Sequence, residues 1–286
     1  MKRLIIIYGL LLGGLGLLLF PIVTNAINDH SHHATVTQYD KDVKALSKKA
    51  LADKAAAAKH YNEQLASGEQ ANEQTSDPFS KKDPRQSEQA DKINSYANIV
   101  DVGGALGYIT IPKINVELPI YNGTNDVVLS KGIGHLQNTA MPVGGLGTHS
   151  VLTGHRGLAT ATMFRHLDQL TFGDCFYIHT LDKTLAYQVD NVKIVNPSDT
   201  KSFEVDASKD YVTLLTCHPY MINSQRLLVR GHRIPYTPAS LKQEQNKQSW
   251  WTRWQKWCYL AAVIVAGGAA FAWWYHRRRT QTVRRH

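Results

Sequence analysis

Three residues of this 286-residue chain have the types and spacing that a cysteine nucleophile requires. Cys217 ends the run 213–217, Arg226 follows nine residues later, and His155 lies upstream in the run 153–157. Attack on an amide needs a thiolate, a group that protonates the departing amine, and a donor to the oxyanion that forms on the carbonyl. These three side chains can supply those functions if the fold brings them together.

The surrounding residues predict elements that would do so. Residues 211–215 are β-branched and apolar enough for a buried strand, and residues 226–230 alternate as a second strand. The loop 218–225 between them contains Pro, Asn and Ser. Cys217 would then lie at the end of one strand and Arg226 at the start of the next. The strand-like run 150–153 would lead to His155.

Each residue alone has a more ordinary interpretation. A single Cys217 would usually be an inert buried hydrophobe, His155 a solvated histidine and Arg226 a surface charge. Arg230 and Arg233, on the same predicted strand, are alternative positions for a substrate-binding arginine.

Other reactive residues are expected to be structural. Cys175 lies in a strand-like run without comparable partners, and Cys258 lies in an apolar stretch. His218 adjoins Cys217 and could lower its pKa, but neighbouring side chains on a strand point in opposite directions. We therefore expect His218 to be an exposed loop residue. The histidines near residue 30 have no carboxylate or Cys at ligand spacing, and we expect them to form a solvated stalk.

The whole block 213–234 resembles the sortases, and the His155 motif resembles them again in the expected chain order. The resemblance implies a closed β-barrel of about eight strands with short helices. It assigns Cys217 as the nucleophile, His155 as the acid and base, and Arg226 as the residue that positions the substrate and stabilises the oxyanion. It implies no metal and no cofactor.

The tripeptide Asp77-Pro78-Phe79 is similar to the lid motif of class C, pilus-assembling sortases. That resemblance implies that Asp77 pairs with Arg226 and that Phe79 covers Cys217. Some relatives carry Trp where this chain has Phe79. The alternative is an ordinary turn in a polar linker, because Asp-Pro pairs start turns and Asp83-Pro84 supplies another pair nearby.

Two long uncharged stretches predict one or two transmembrane helices. Residues 4–28 carry no charge, and residues 4–20 approach the ~20 apolar residues that a span needs. The second stretch is 257–275, which the six tryptophans bracket in the manner of interfacial side chains. Cationic flanks at both chain ends place the termini in the cytoplasm and the intervening domain outside. The first stretch is either an anchor or a cleaved signal peptide.

Charge and cysteine content exclude several classes. The formal net charge is +9, but seven excess positive charges flank the apolar stretches, which leaves +2 for the rest of the chain. No basic patch interleaved with aromatics is present, so we expect no nucleic-acid partner. Three cysteines, one of them in an apolar stretch, do not form a disulfide framework. This fits the cell membrane of a Gram-positive bacterium, with the domain on the extracellular face.

These patterns divide the chain into consecutive segments. The helical segment is expected over 40–67, as one or two helices, and short helical insertions are expected at 126–130 and 161–170. The predicted segments are a signal or anchor at 1–28, helices and lid at 29–100, the barrel at 101–238, a juxtamembrane linker at 239–256, a transmembrane helix at 257–276 and a basic cytoplasmic tail at 277–286.

The resemblance implies a cysteine transpeptidase. It would cleave LPXTG-like signals of pilins or surface proteins at the Thr-Gly bond and join them to a lysine of an acceptor pilin. Two alternatives stay open: a housekeeping sortase that anchors proteins to cell-wall peptide, and a non-catalytic membrane-anchored module that binds sorting signals.

Overall fold

The computed structural model describes residues 2–67, 77–79, 99–158, 161–199 and 201–246, with four further positions at 257, 261, 267 and 268. Among these residues, no helix is both long and apolar enough to cross a membrane. The first predicted span, 4–28, lies within them as part of a long helix, whereas most of the second, 257–275, lies outside the described residues. The lid tripeptide and the whole of the predicted barrel except residues 159, 160 and 200 lie within them.

Two long helices precede the barrel. Helix α1 covers Lys2–Ala45 and α2 covers Lys48–Ala66. The break between them is set by Ser47, whose side chain accepts a hydrogen bond from the Ala50 amide and caps α2. The predicted helical segment is confirmed. Of the three histidines near residue 30, His30 and His33 are exposed as expected, but the solvated position expected for His32 is wrong. His32 belongs to α1. It is buried because it lies one turn before Val36, on the same buried face of the helix.

Eight strands close into a barrel in the order β1-β2-β3-β4-β7-β8-β6-β5, which confirms the predicted closed barrel of about eight strands. The short strand β3, which pairs in parallel with β2, was missed because three residues carry no usable alternation. The strand bounds are β1 Gly107–Ile111, β2 Val116–Asn122, β3 Ile133–His135, β4 Thr148–Thr153, β5 Cys175–Thr180, β6 Lys183–Val195, β7 Asp210–His218 and β8 Gln225–Ile234.

Short helices connect the strands. Helix α3 covers Asp126–Lys131, as predicted, and α4 covers Pro238–Asn246 after the last strand. The helix expected over 161–170 is wrong: the described residues there form turns and a single 3-10 helix, Leu167–Gln169. Two other 3-10 helices cover Pro112–Ile114 and Lys201–Phe203.

One large hydrophobic core fills the barrel and continues under the helices. Tyr39 and Val43 of α1 and Tyr61 of α2 belong to the same cluster as the inward side chains of the strands. The Tyr39 hydroxyl also donates to the Leu106 carbonyl and accepts from the Leu181 amide. The helices are therefore part of the folded domain.

Candidate active site

Cys217 and Arg226 lie opposite each other on neighbouring strands. Strands β7 and β8 are antiparallel, and Cys217 is the register partner of Arg226. Directly opposed residues in such a pair project from the same face of the sheet. Both side chains are almost fully buried. The predicted arrangement of a strand exit facing a strand start is therefore observed.

His155 follows β4, which runs parallel to β7. The loop after β4 is tied to β7 because Gly154 donates to the Leu215 carbonyl at 3.1 Å and its own carbonyl accepts from the Thr216 hydroxyl at 2.6 Å. A Cβ on Gly154 would lie 2.6 Å from Ile133, so a larger residue would move this loop. These contacts hold His155 beside the strand that carries Cys217.

The lid tripeptide lies on this site. The Asp77 carboxylate receives two hydrogen bonds from Arg226, from Nε at 2.7 Å and from Nη2 at 2.5 Å. This is the bidentate geometry that a guanidinium forms best. Phe79 lies 5.5 Å from the His155 ring and 5.4 Å from the Arg226 guanidinium, measured to its ring centroid. It packs on an apolar cluster formed by Leu136, Val151, Leu215 and Leu228.

Burial favours the uncharged forms of Cys217 and His155 in this state. Burial raises the pKa of the Cys217 thiol to about 11, Arg226 lowers it and Asp77 raises it. Burial also lowers the pKa of His155, which Asp126 partly offsets. Near neutral pH both groups are therefore uncharged, because desolvation disfavours the thiolate and the imidazolium alike.

A second buried arginine reaches the site, and sequence reasoning missed it. Arg156 donates from Nη1 to His218 Nδ1 at 2.8 Å and pairs with Asp168 at 2.7 Å. It also lowers the pKa of Cys217. Its position directly after His155 was the available signal. The exposed position expected for His218 is wrong, because this residue ends β7 half-buried against Arg156.

The two alternative arginines and the second cysteine lie outside the candidate active site. Arg230 forms a pair with Asp190 and stacks on Tyr211, at 4.1 Å from its ring centroid. Arg233 lies near the buried carboxylate of Asp210. Cys175 is buried in β5 beside Tyr177, so its expected structural role fits its position. Among the described residues, no group of His, Cys, Asp and Glu is placed to hold a metal ion.

Comparison with known proteins identifies the family to which this fold belongs. The sortase domain family model matches residues 109–234, the stretch that contains Cys217, His155 and Arg226. Sortase C of Streptococcus pneumoniae is 42% identical, with a TM-score of 0.63 over 71% of this chain and 98% of that chain. The chain belongs to the sortase family.

Further relatives of this sortase include pilus enzymes. Sortase C1 of group B Streptococcus pilus island 1 is 40% identical, with a TM-score of 0.65 over 72% of this chain and 94% of that chain. Sortase D of Bacillus subtilis is 34% identical over 137 residues, 47% of this chain and 66% of that protein. The chain spans less than two thirds of the length of the curated relatives it matches. Sortases are cysteine transpeptidases.

Proposed function

We propose that this sortase is a class C enzyme that joins pilin subunits. Once the lid has left, His155 takes the proton of the Cys217 thiol, and the thiolate attacks the carbonyl carbon of the Thr-Gly bond in an LPXTG-like signal. That bond breaks as His155 passes the proton to the departing amine. The product is a thioester on Cys217. A lysine amine of an acceptor pilin then attacks the thioester and loses a proton to His155. The isopeptide bond forms as the carbon–sulfur bond breaks, and His155 returns the proton to the departing sulfur of Cys217.

Arg226 has two partners in this sequence of steps. In the closed state its guanidinium binds the Asp77 carboxylate. Once that carboxylate leaves, the same donors can bind the substrate backbone and the oxyanion that develops on the scissile carbonyl. Substrate and lid thus compete for one cation.

The contact between Asp77 and Arg226 is the observation that carries the class C proposal. A tripeptide far upstream occupies the arginine that the substrate would need, and Phe79 lies against His155. The pilus-related sortase C structures at about 40% identity add support. We propose that substrate binding displaces this segment.

We further propose that the enzyme is held in the cell membrane of a Gram-positive bacterium, with its barrel on the extracellular face. The uncharged stretches 4–28 and 257–275 and their cationic flanks support this location. The similar proteins from Streptococcus, Bacillus and Actinomyces are consistent with it.

A housekeeping role is the second candidate function. Three curated relatives are sortase A enzymes, at 26–29% identity. The acceptor would then be a cell-wall amine instead of a pilin lysine. The lid contact favours the pilin acceptor.

The test is a transfer assay with the full-length chain in detergent. The lid is opened by Asp77→Ala and Phe79→Ala, an LPXTG-type peptide and a recombinant pilin are added, and the products are analysed by mass spectrometry. We expect an acyl adduct on Cys217 that passes to a pilin lysine. Cys175→Ala is the matched control and should behave like the parent, whereas Cys217→Ala should give no adduct.

The other outcomes separate the alternatives. Transfer only to water or to a short cell-wall amine supports the housekeeping role. An adduct that persists in Cys217→Ala overturns the mechanism. The absence of any adduct, together with no reaction of Cys217 with a thiol reagent, supports a binding module.

A further inference from the structure

The two ends of the barrel can be distinguished by strand register. The catalytic end is defined here as the end where β7 finishes at Cys217 and β8 starts near Arg226. Val195, the last residue of β6, is the register partner of Arg226. Strand β6 therefore runs toward the catalytic end, and β5, which is antiparallel to it, runs away from that end. Strand β1 is antiparallel to β5, so the end of β1 and the start of β2 also lie at the catalytic end.

Helix α1 runs toward this end in its N-terminal direction. Tyr39 contacts Leu106, directly before β1, at the far end of the barrel. Two turns earlier, His33 Nδ1 lies 3.1 Å from Glu117, near the start of β2 and so toward the catalytic end. The helix is continuous from residue 2. At 1.5 Å per residue, only about 8 Å of helix separates His33 from residue 28, where the uncharged stretch ends.

Helix α4 leads the C-terminal part of the chain to the catalytic end as well. It begins at Pro238, shortly after β8 finishes at the far end, and it packs along β5 through Leu241. It then contacts the 3-10 helix Pro112–Ile114, which lies between β1 and β2 at the catalytic end. Residues 247–256 can span at most about 35 Å, even fully extended, before the second uncharged stretch begins.

Exposed apolar side chains concentrate at this end. Nine large hydrophobic residues are exposed between positions 99 and 246 in the described part of the chain, and six of them lie at the catalytic end. These six are the apolar rim: Phe172, Val192, Ile194, Tyr220, Met221 and Ile222. Phe172 is 81% exposed, and its loop is tied to the 3-10 helix by a hydrogen bond from Lys113 to Thr171.

We propose that the catalytic end of the barrel faces the membrane and that the apolar rim enters the interfacial layer of the bilayer. The inference rests on the proposed membrane location. Helices α1 and α4 both extend from this end toward the uncharged stretches. Because α1 is continuous with the first stretch, the distance between Phe172 and the lipid must be short. Aromatic side chains are favoured at this depth. Cys217 then opens toward the membrane surface.

The experiment places a nitroxide label on the full-length chain in phosphatidylglycerol and phosphatidylcholine vesicles. The native cysteines are removed by Cys175→Ser, Cys217→Ala and Cys258→Ser. One sample carries Phe172→Cys. The matched control carries Leu146→Cys, because Leu146 is 78% exposed and lies at the far end. Electron paramagnetic resonance compares the collision rates of the label with oxygen, which enters lipid, and with a nickel chelate, which stays in water.

We expect the label at 172 to collide more with oxygen than with nickel, by several-fold relative to the label at 146. Equal nickel accessibility at both positions overturns the proposal that the catalytic end faces the membrane, and it leaves the proposed membrane location intact. A chain that does not float with the vesicles overturns the proposed membrane location as well. Protection of position 172 that vanishes on dilution of the protein in lipid, or that requires added pilin, overturns the lipid assignment in favour of a second copy or of the substrate.

Discussion

At the scale of single residues, the three arginines of β8 are separated by what they face. Arg226 is opposite Cys217, whereas Arg230 is four residues further along the strand and is the register partner of Thr213. A positively charged group has catalytic value only where charge develops in the reaction. Position along the strand, and not residue type, therefore assigns the role.

We predict that Arg226→Ala loses at least about a hundredfold in kcat/KM for peptide cleavage, the usual cost of removing an oxyanion donor. Arg230→Ala is the matched control and should retain most of the activity, because its charge is paired with Asp190 outside the site. Steady-state kinetics on lid-opened protein measures both. The reverse order would move the role to Arg230.

A second prediction concerns the thiol of Cys217. Burial and Asp77 hold its pKa at about 11, so the thiolate forms only at high pH. Asp77→Ala with Phe79→Ala removes a negative charge and admits water, and both changes lower the pKa. The rate of modification by a thiol reagent should therefore rise at lower pH than in the parent. Asp83→Ala, in the other Asp-Pro pair, should leave the profile unchanged.

Arg156 should shift the same pH profile in the opposite direction. Its charge lowers the pKa of Cys217, so Arg156→Gln should raise the pKa and move thiol modification to higher pH in the lid-opened protein. A purely structural role would reduce stability without moving the profile. Thermal unfolding of the same variant separates the two effects.

At the scale of elements, one buried hydroxyl on helix α1 makes two hydrogen bonds to the backbone of the barrel domain. The Tyr39 oxygen accepts from the Leu181 amide at 2.8 Å in a buried setting. Tyr39→Phe leaves that amide without its acceptor, at a cost of about 1–3 kcal/mol. Hydrogen exchange should show faster exchange at Leu181. Thr37→Ala, at an exposed position of the same helix, should change it little.

The lid is an element of a different kind, because its described residues, 77–79, lie on the candidate active site itself. Asp77 contributes an ion pair and Phe79 an apolar contact with the site, and both are made to residues that the proposed reaction needs. A segment of this type can be displaced by a substrate that offers the same arginine a better partner. We therefore expect the lid to couple access of the thiol to recognition of the substrate.

At the scale of the whole molecule, the helices and the barrel share one core. Burial of a side chain such as Tyr39, Val43 or Tyr61 stabilises by about 1.5–3 kcal/mol. A chain that begins at residue 99 should therefore melt at a lower temperature than one that begins at residue 29. Differential scanning calorimetry measures the difference. Equal melting temperatures would mean that the barrel does not need α1 and α2.

The sequence by itself determined the family and most of the strands. Alternation of side chains located seven of the eight strands, and the residues around Cys217, His155 and Arg226 were sufficient to indicate a sortase. These features are local: a strand depends on period-two patterning, and the family motif is a short run of residues. The three-residue strand β3 and the region 161–170 were not predicted correctly, because their conformation follows from packing and not from pattern.

Only the tertiary structure decided how distant segments meet. Asp77 and Arg226 are 149 residues apart, and nothing in the spacing of the sequence requires their contact. The buried pair of Arg156 and His218, the buried face of α1 at His32, and the common end at which both termini leave the barrel are equally nonlocal. Such relations depend on barrel closure, which fixes the position of each strand relative to all the others.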